Sequence, residues 1–128
     1  IRWISEGDSI TLYGDGSQAR DFTYVGDIAR GTVAALKPLG FEVINLGADR
    51  PVDVRELISI LEELMERSAV IQQKPANRMD VNKTWADIAK AQKLLEWEPR
   101  VDLTEGLRRS VNWYREHRNW VKDINVWV

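Results

Sequence analysis

Apolar and polar positions change period several times along the chain, and each change marks an element. "SITLYG" sets Ile10 and Leu12 against Thr11 and Tyr13, the alternation of a strand with one buried face. "DGSQ" reads as a turn: Gly16 permits positive φ, and Asp15 or Ser17 can bond the local backbone. "RDFTYV" is again β-rich, so a second strand is expected there. From about Gly26 the period turns helical, with Ile28, Thr32, Ala35 and Leu36 on one face and "KPLG" as the stop. "FEVINLG" then reads as a short strand. Its Val43, Ile44 and Leu46 imply burial on both faces, as in a parallel sheet.

Two Asp-x-x-Glu capping boxes punctuate the second half. Asp53 with Glu56 opens a helix whose apolar stripe is Val54, Leu57, Ile58, Leu61 and Leu64. Asp102 with Glu105 opens another, carrying Leu103, Leu107, Ser110, Val111 and Tyr114. Between them "AVIQQK" is expected as a short strand and "PANRMDVNKTWAD" as a polar connection. Asp87 is expected to cap a short helix with Ile88, Ala91, Leu94 and Leu95 inside, ended by Pro99. "IRWISEG" reads as the end of a helix stopped at Gly7, and the tail carries Trp120, Val121, Ile124, Val126, Trp127 and Val128. Strands alternating with helices predict an α/β fold. No linker or repeat divides residues 1–128, so one domain is expected.

Composition narrows the classes. The 128 residues are 44% apolar and 30% charged, a globular balance with enough chain to bury a core. A net charge of −2 with mixed signs argues against nucleic acid as a partner, since that needs a basic face. No apolar run approaches the ~20 residues that span a bilayer, so no membrane partner is expected. Arg2, Ser5, Glu6 and Asp8 break any apolar leader at the start. The absence of cysteine excludes disulfides, thiolate metal sites and a cysteine nucleophile, and it suits a cytoplasmic setting. The single His117, in polar "YREHRNW", reads as a solvated surface residue that cannot build a metal site alone.

Candidate chemistry is sparse. Most acidic residues fall at helix caps or on polar faces. There is no Gly-x-Ser-x-Gly, Walker loop, His-Glu-x-x-His or Gly-x-Gly-x-x-Gly; "GDG" at Gly14–Gly16 lacks the third glycine and precedes a strand. Arg20 stands out. Its guanidinium is a fixed cationic fork suited to phosphate oxygens, beside a glycine turn. The alternative is a surface pairing with Asp15 or Asp21, and Arg78 and Asp80 in the polar connection invite the same two readings.

Taken together, "GDSITLYGDGSQARDFTYVGDIARGTVAAL", "VINLG" and "DVNKTWADIAKAQKLLEWEPRVDLTEGLRRSVNWY" are more specific than any one motif. In order and spacing they resemble the C-terminal part of an extended short-chain dehydrogenase/reductase. The likeness is to the NAD-dependent nucleotide-sugar epimerases and dehydratases, most closely the UDP-glucuronate 4-epimerase type, and it runs from about Ile1 to Tyr114. The resemblance implies a Rossmann-type α/β fragment that binds the UDP-sugar, with the NAD loop and the catalytic Tyr-x-x-x-Lys pair elsewhere. Tyr13, Tyr24 and Tyr114 are followed four residues on by Ser17, Ile28 and Arg118, never Lys. A start at Ile1 rather than Met fits that expectation. By resemblance Arg20 grips the diphosphate, Thr11 and Tyr13 belong to the strand lining the base, and Asp80 meets the ribose or phosphate end. The family's Arg-x-x-Asp spacing is broken, because Asn77 stands three before Asp80 and the arginine is at Arg78. "FEVINLG" would supply a strand to the Rossmann sheet, leaving an apolar edge that favours homo-oligomers. The implied activity of the intact enzyme is epimerisation with NAD as hydride carrier, this chain alone binding no cofactor. A 4,6-dehydratase fragment and a non-enzymatic self-assembling module are the alternatives.

Overall fold

The computed structural model describes residues 1–77 and 79–124. One layer is built on a parallel ladder. β1 (Ser9–Tyr13) pairs with β4 (Val70–Lys74), from Ser9 opposite Val70 to Tyr13 opposite Lys74. Three helices cover it: α1 (Arg2–Glu6), α3 (Val54–Met65) and α5 (Leu103–Val121). Their contact is Ile4, Leu61 and Val111, surrounded by Ile10, Leu57, Leu64 and Leu107. Burying each such side chain contributes about 1.5–3 kcal/mol. Local chemistry sets the helix ends. Asp53 Oδ1 accepts the Glu56 N–H at 2.7 Å, and Asp102 Oδ1 accepts the Glu105 N–H at 2.8 Å. Gly7 closes α1 in the left-handed region at φ 83°. Glu6 then fastens α1 to α5, accepting from Tyr114 Oη and Arg118 Nε, each at 2.9 Å, and from Arg118 Nη2 at 2.6 Å.

A second cluster joins α2 (Val25–Ala34) to α4 (Ala89–Leu95). Ile88, Ala91, Leu95 and Trp97 form its centre, with Ile44 and Leu46 packed against them. A Cβ on Gly31 would fall 2.7 Å from Leu46 Cδ1 and 2.9 Å from Trp97 Nε1. The helix therefore carries glycine at its closest approach. Asp27 is buried beside it. Arg30 Nη2 donates to Oδ1 at 2.7 Å, while the N–H groups of Arg100 and Val101 donate to Oδ2 at 2.9 Å. Burial alone would raise the Asp27 pKa. The Arg30 bond and the two backbone donors outweigh it and hold the carboxyl below its ordinary value.

Five expectations are corrected. The inner stripe of α2 is Asp27 and Gly31, one residue out of step with Ile28 and Thr32, because a carboxylate and a glycine rather than apolar groups face the core. The helix ends at Ala34, leaving Leu36 exposed. "RDFTYV" is a strand only at its start: β2 (Ala19–Arg20) pairs antiparallel with β3 (Val52–Asp53), and Tyr24 is already the N-cap of α2. "FEVINLG" forms no strand, since no described strand offers its backbone a ladder partner. It lies with Ile44 and Leu46 inward and Phe41 and Val43 outward, 94% and 69% exposed. Asp87 accepts the Ala89 N–H at 2.9 Å, but the α4 N-cap is Ile88.

Candidate functional site

The end of β1 runs into a turn that glycine makes feasible. Gly16 sits at φ 80°, and a Cβ there would meet Arg55 Cγ at 2.7 Å and Leu12 Cδ2 at 3.3 Å. No other residue satisfies both demands. The Ser17 N–H donates to Asp15 Oδ1 at 2.9 Å, and the Gln18 amide donates to the Tyr13 carbonyl at 3.1 Å. Hydrogen bonds from the Ser17 hydroxyl and N–H hold the Asp15 carboxyl below its ordinary pKa. The turn is also tied to α3, as Arg55 and Val54 donate backbone N–H groups to the Gly16 and Gln18 carbonyls.

Opposite the turn lies the polar connection after β4. It is strung along β2: Ala19 N–H donates to Asn82 O at 2.8 Å, and Thr84 N–H donates to Ala19 O at 3.1 Å. A cleft of about 260 Å³ opens between the two walls. Tyr13, Asp15, Ser17 and Gln18 line one side, Asn77, Asp80 and Asn82 the other. Lys74 Nζ stands 5.9 Å from the Tyr13 ring centre and adds a cation near that end of β1.

Arg20 and Asp80, proposed separately from the sequence, are brought together. Arg20 Nη2 donates to Asp80 Oδ1, while Nη1 donates to the carbonyls of Ala19 and Val81, both at 2.8 Å. Arg20 pairs with neither Asp15 nor Asp21. Tyr13 reaches the cleft; Thr11 sits mid-strand opposite Gln72, away from its lining. Arg78 lies outside the described residues, as do Val126, Trp127 and Val128 of the tail.

Sequence reasoning offers Asp21 only as a partner for Arg20 and misses its structural role. Its carboxylate collects four backbone N–H groups: Ala48 at 3.1 Å and Arg50 at 3.4 Å on Oδ1, Asp49 at 3.2 Å and Ala86 at 3.1 Å on Oδ2. That stitches two loops to the residue after Arg20 and turns the chain away from strand geometry. The available signal was an acid in a run otherwise apolar, "DFTYV", where the backbone must supply its partners. His117 also differs from expectation: it is half-buried and stacks on Trp113, ring centres 4.6 Å apart, with Trp120 edge-on at 6.2 Å.

Among the described residues no helix is long and apolar enough to cross a membrane, and no group of three His, Cys, Asp or Glu could hold a metal. The Gly14–Gly16 turn leads into β2 and not into a helix, so it does not make the strand–turn–helix cradle of a dinucleotide pyrophosphate.

Residues 1–110 match the family model described as GDP-mannose 4,6 dehydratase. A UDP-glucuronate 4-epimerase from Thermodesulfobacterium geofontis (strain OPF15) is 51% identical over 127 residues, 98% of this chain and 39% of that protein. The solved UDP-glucuronic acid 4-epimerase from Bacillus cereus, in complex with UDP-glucuronic acid and NAD, superposes with a TM-score of 0.83 at 37% identity. That match covers 91% of this chain and 38% of the other. UDP-glucose 4-epimerase from Thermotoga maritima with UDP-glucose gives a TM-score of 0.86 at 33% identity, over 91% and 38% of the two chains. The chain spans about two fifths of the length of these relatives.

Proposed function

The chain belongs to the GDP-mannose 4,6-dehydratase family of extended short-chain dehydrogenases/reductases, and we propose that it is the UDP-sugar-binding part of an NAD-dependent nucleotide-sugar epimerase. The observation that carries this reading is the Arg20 guanidinium, itself outside the lining of the cleft but bonded to Asp80, which lines it, and to the Val81 carbonyl beside it. Arg20 neutralises the diphosphate, with Arg78 as its second cation. Asp80 faces the ribose or phosphate end and Tyr13, at the cleft end of β1, flanks the base; Thr11, away from the lining, only belongs to the same strand. The glycine turn lets backbone N–H groups approach the nucleotide.

Catalysis and NAD belong to the remainder of the intact protein, because the Tyr-x-x-x-Lys pair and the dinucleotide loop are not among these 128 residues. Alone, the chain is inactive. A UDP-glucuronate or related UDP-sugar is the substrate we favour, and the 51% identity to a UDP-glucuronate 4-epimerase supports it. The family's own description favours the second reading, a sugar-nucleotide 4,6-dehydratase. We place the protein in the cytoplasm, where a cysteine-free chain is at home, and assign it a homo-oligomeric state through the exposed Phe41 and Val43.

Calorimetric titration of the chain with UDP tests the site. Binding that Arg20→Ala abolishes supports it; UDP affinity equal in both proteins removes Arg20 from the site.

A further inference from the structure

The Arg20 fork already holds an anion. Both Nη1 hydrogens go to carbonyls, those of Ala19 and Val81, so that nitrogen has none left for a ligand. Nη2 donates to Asp80. An oxyanion taking two parallel N–H bonds from this guanidinium must therefore use Nε and Nη2, and one of the two Nη2 hydrogens is already given to Asp80, which would set the bound oxyanion directly beside that carboxylate.

We infer that Asp80 is an intramolecular counter-ion in exchange with the incoming diphosphate. It keeps Arg20 oriented and the connection drawn against β2, then gives up Nη2 to phosphate oxygens. The inference rests on the diphosphate reading of the cleft. A carboxylate kept in contact with a bound phosphate would repel it, so the two anions alternate on Nη2. The displaced pair is weak: the Arg20 and Asp80 side chains are 26% and 41% exposed, and ion pairs so open to water contribute little net stability. The Nη1 bonds to uncharged carbonyls persist through the exchange. The guanidinium stays in place, and a rotamer change at Asp80 suffices, with no opening of the backbone held by Val81 and Asn82.

The test is calorimetric titration of the chain with inorganic pyrophosphate, which has no ribose for Asp80 to meet. Asp80→Asn is expected to tighten pyrophosphate by about twofold to fivefold, the value of one exposed ion pair. Asp80→Ser should give the same direction. Glu63→Gln removes a charge from the exposed face of α3, outside the cleft and without touching Arg20, and should change affinity by less than about 1.5-fold. Arg20→Ala should abolish binding. Tightening in Glu63→Gln equal to that in Asp80→Asn would overturn the exchange, leaving only a general field effect. Unchanged or weaker binding in both Asp80 variants, with Arg20→Ala still inactive, would also overturn it while the diphosphate reading stands. Wild type and Arg20→Ala behaving alike, or neither binding, removes both.

Discussion

Trp97 donates its indole N–H to the backbone carbonyl of Asp27 at 2.9 Å, a buried bond between residues 70 apart in sequence. The same aspartate, through its carboxylate, takes the N–H groups of Arg100 and Val101. One residue at the start of α2 thus organises the whole approach to α5. Asp27→Ala would leave the Arg100 and Val101 N–H groups without their acceptor at a site where Asp27 is only 3% exposed, and would remove the partner of Arg30, which keeps its bond to the Glu98 carbonyl; the expected cost is about 3 kcal/mol. Urea unfolding followed by tryptophan fluorescence measures it; a loss below about 1 kcal/mol would mean that water replaces the carboxylate.

Acid should weaken the fold through the same group. Asp27 has its pKa lowered by the balance already described. Glu6 is lowered by hydrogen bonds from Arg118 and Tyr114. A carboxyl depressed in the folded state contributes stability that is fully present above its unfolded value, about pH 4. That contribution is lost as pH falls through the lowered folded value. Urea midpoints should therefore hold from pH 7 to about 5 and fall steadily below 4. Asp27→Asn should flatten the fall, and an equally steep curve in that variant would exclude Asp27 as a source.

Gly31→Ala sets helix propensity against packing. In an exposed helix the change would stabilise by up to about 1 kcal/mol. Here the methyl would meet both Leu46 and Trp97 inside 3 Å. A net loss of about 1–3 kcal/mol is expected, with a thermal midpoint lower than wild type. A rise in the midpoint would show that Leu46 yields at little cost.

In an enzyme carrying this chain as its substrate part, Arg20→Ala should raise the UDP-sugar KM about tenfold to hundredfold, the value of charge-assisted bonds to phosphate. NAD affinity should not change, and Arg20→Lys should recover only part, because a point charge lacks the fork. Steady-state kinetics with both substrates varied separates these outcomes. A shift in NAD affinity equal to that for the sugar nucleotide would point to a structural loss.

Association should run through the outward side of residues 41–43 and the end of α2. Phe41, Val43, Val33 and Leu36 are all more than 65% exposed. Sedimentation equilibrium is expected to find species above the monomer mass, and Phe41→Lys to return them to monomer. A monomer at every concentration in the parent chain would refute this.

What could be read without coordinates was local. The capping boxes at Asp53 and Asp102, the stop at Gly7 and the alternation around Leu12 each depend on residues within one turn or strand. The α2 face departs from the apolar pattern because Asp27 and Gly31 are inward for hydrogen bonding and close approach, which apolarity does not mark. The Arg20–Asp80 bond was out of reach for another reason. Short-range charge spacing offered Asp15 and Asp21, and only the fold brings a residue 60 positions away into contact. Asp21 shows the complement: its four partners are backbone N–H groups, which have no signature in side-chain identity.

The parallel ladder has a consequence for how the molecule is made. Ser9 cannot find Val70 until α2, the 41–47 segment and α3 have all been synthesised, so β1 leaves the ribosome many residues ahead of its partner. Pairings so distant in sequence are the slow steps of folding, since the entropy of closing the intervening chain is lost before any contact forms. The helices α1 and α3 can meet early around Ile4 and Leu61, but both walls of the cleft depend on the later β1–β4 closure. During that delay β1 is an apolar strand without a neighbour, the interval in which a nascent chain is most exposed to mispairing.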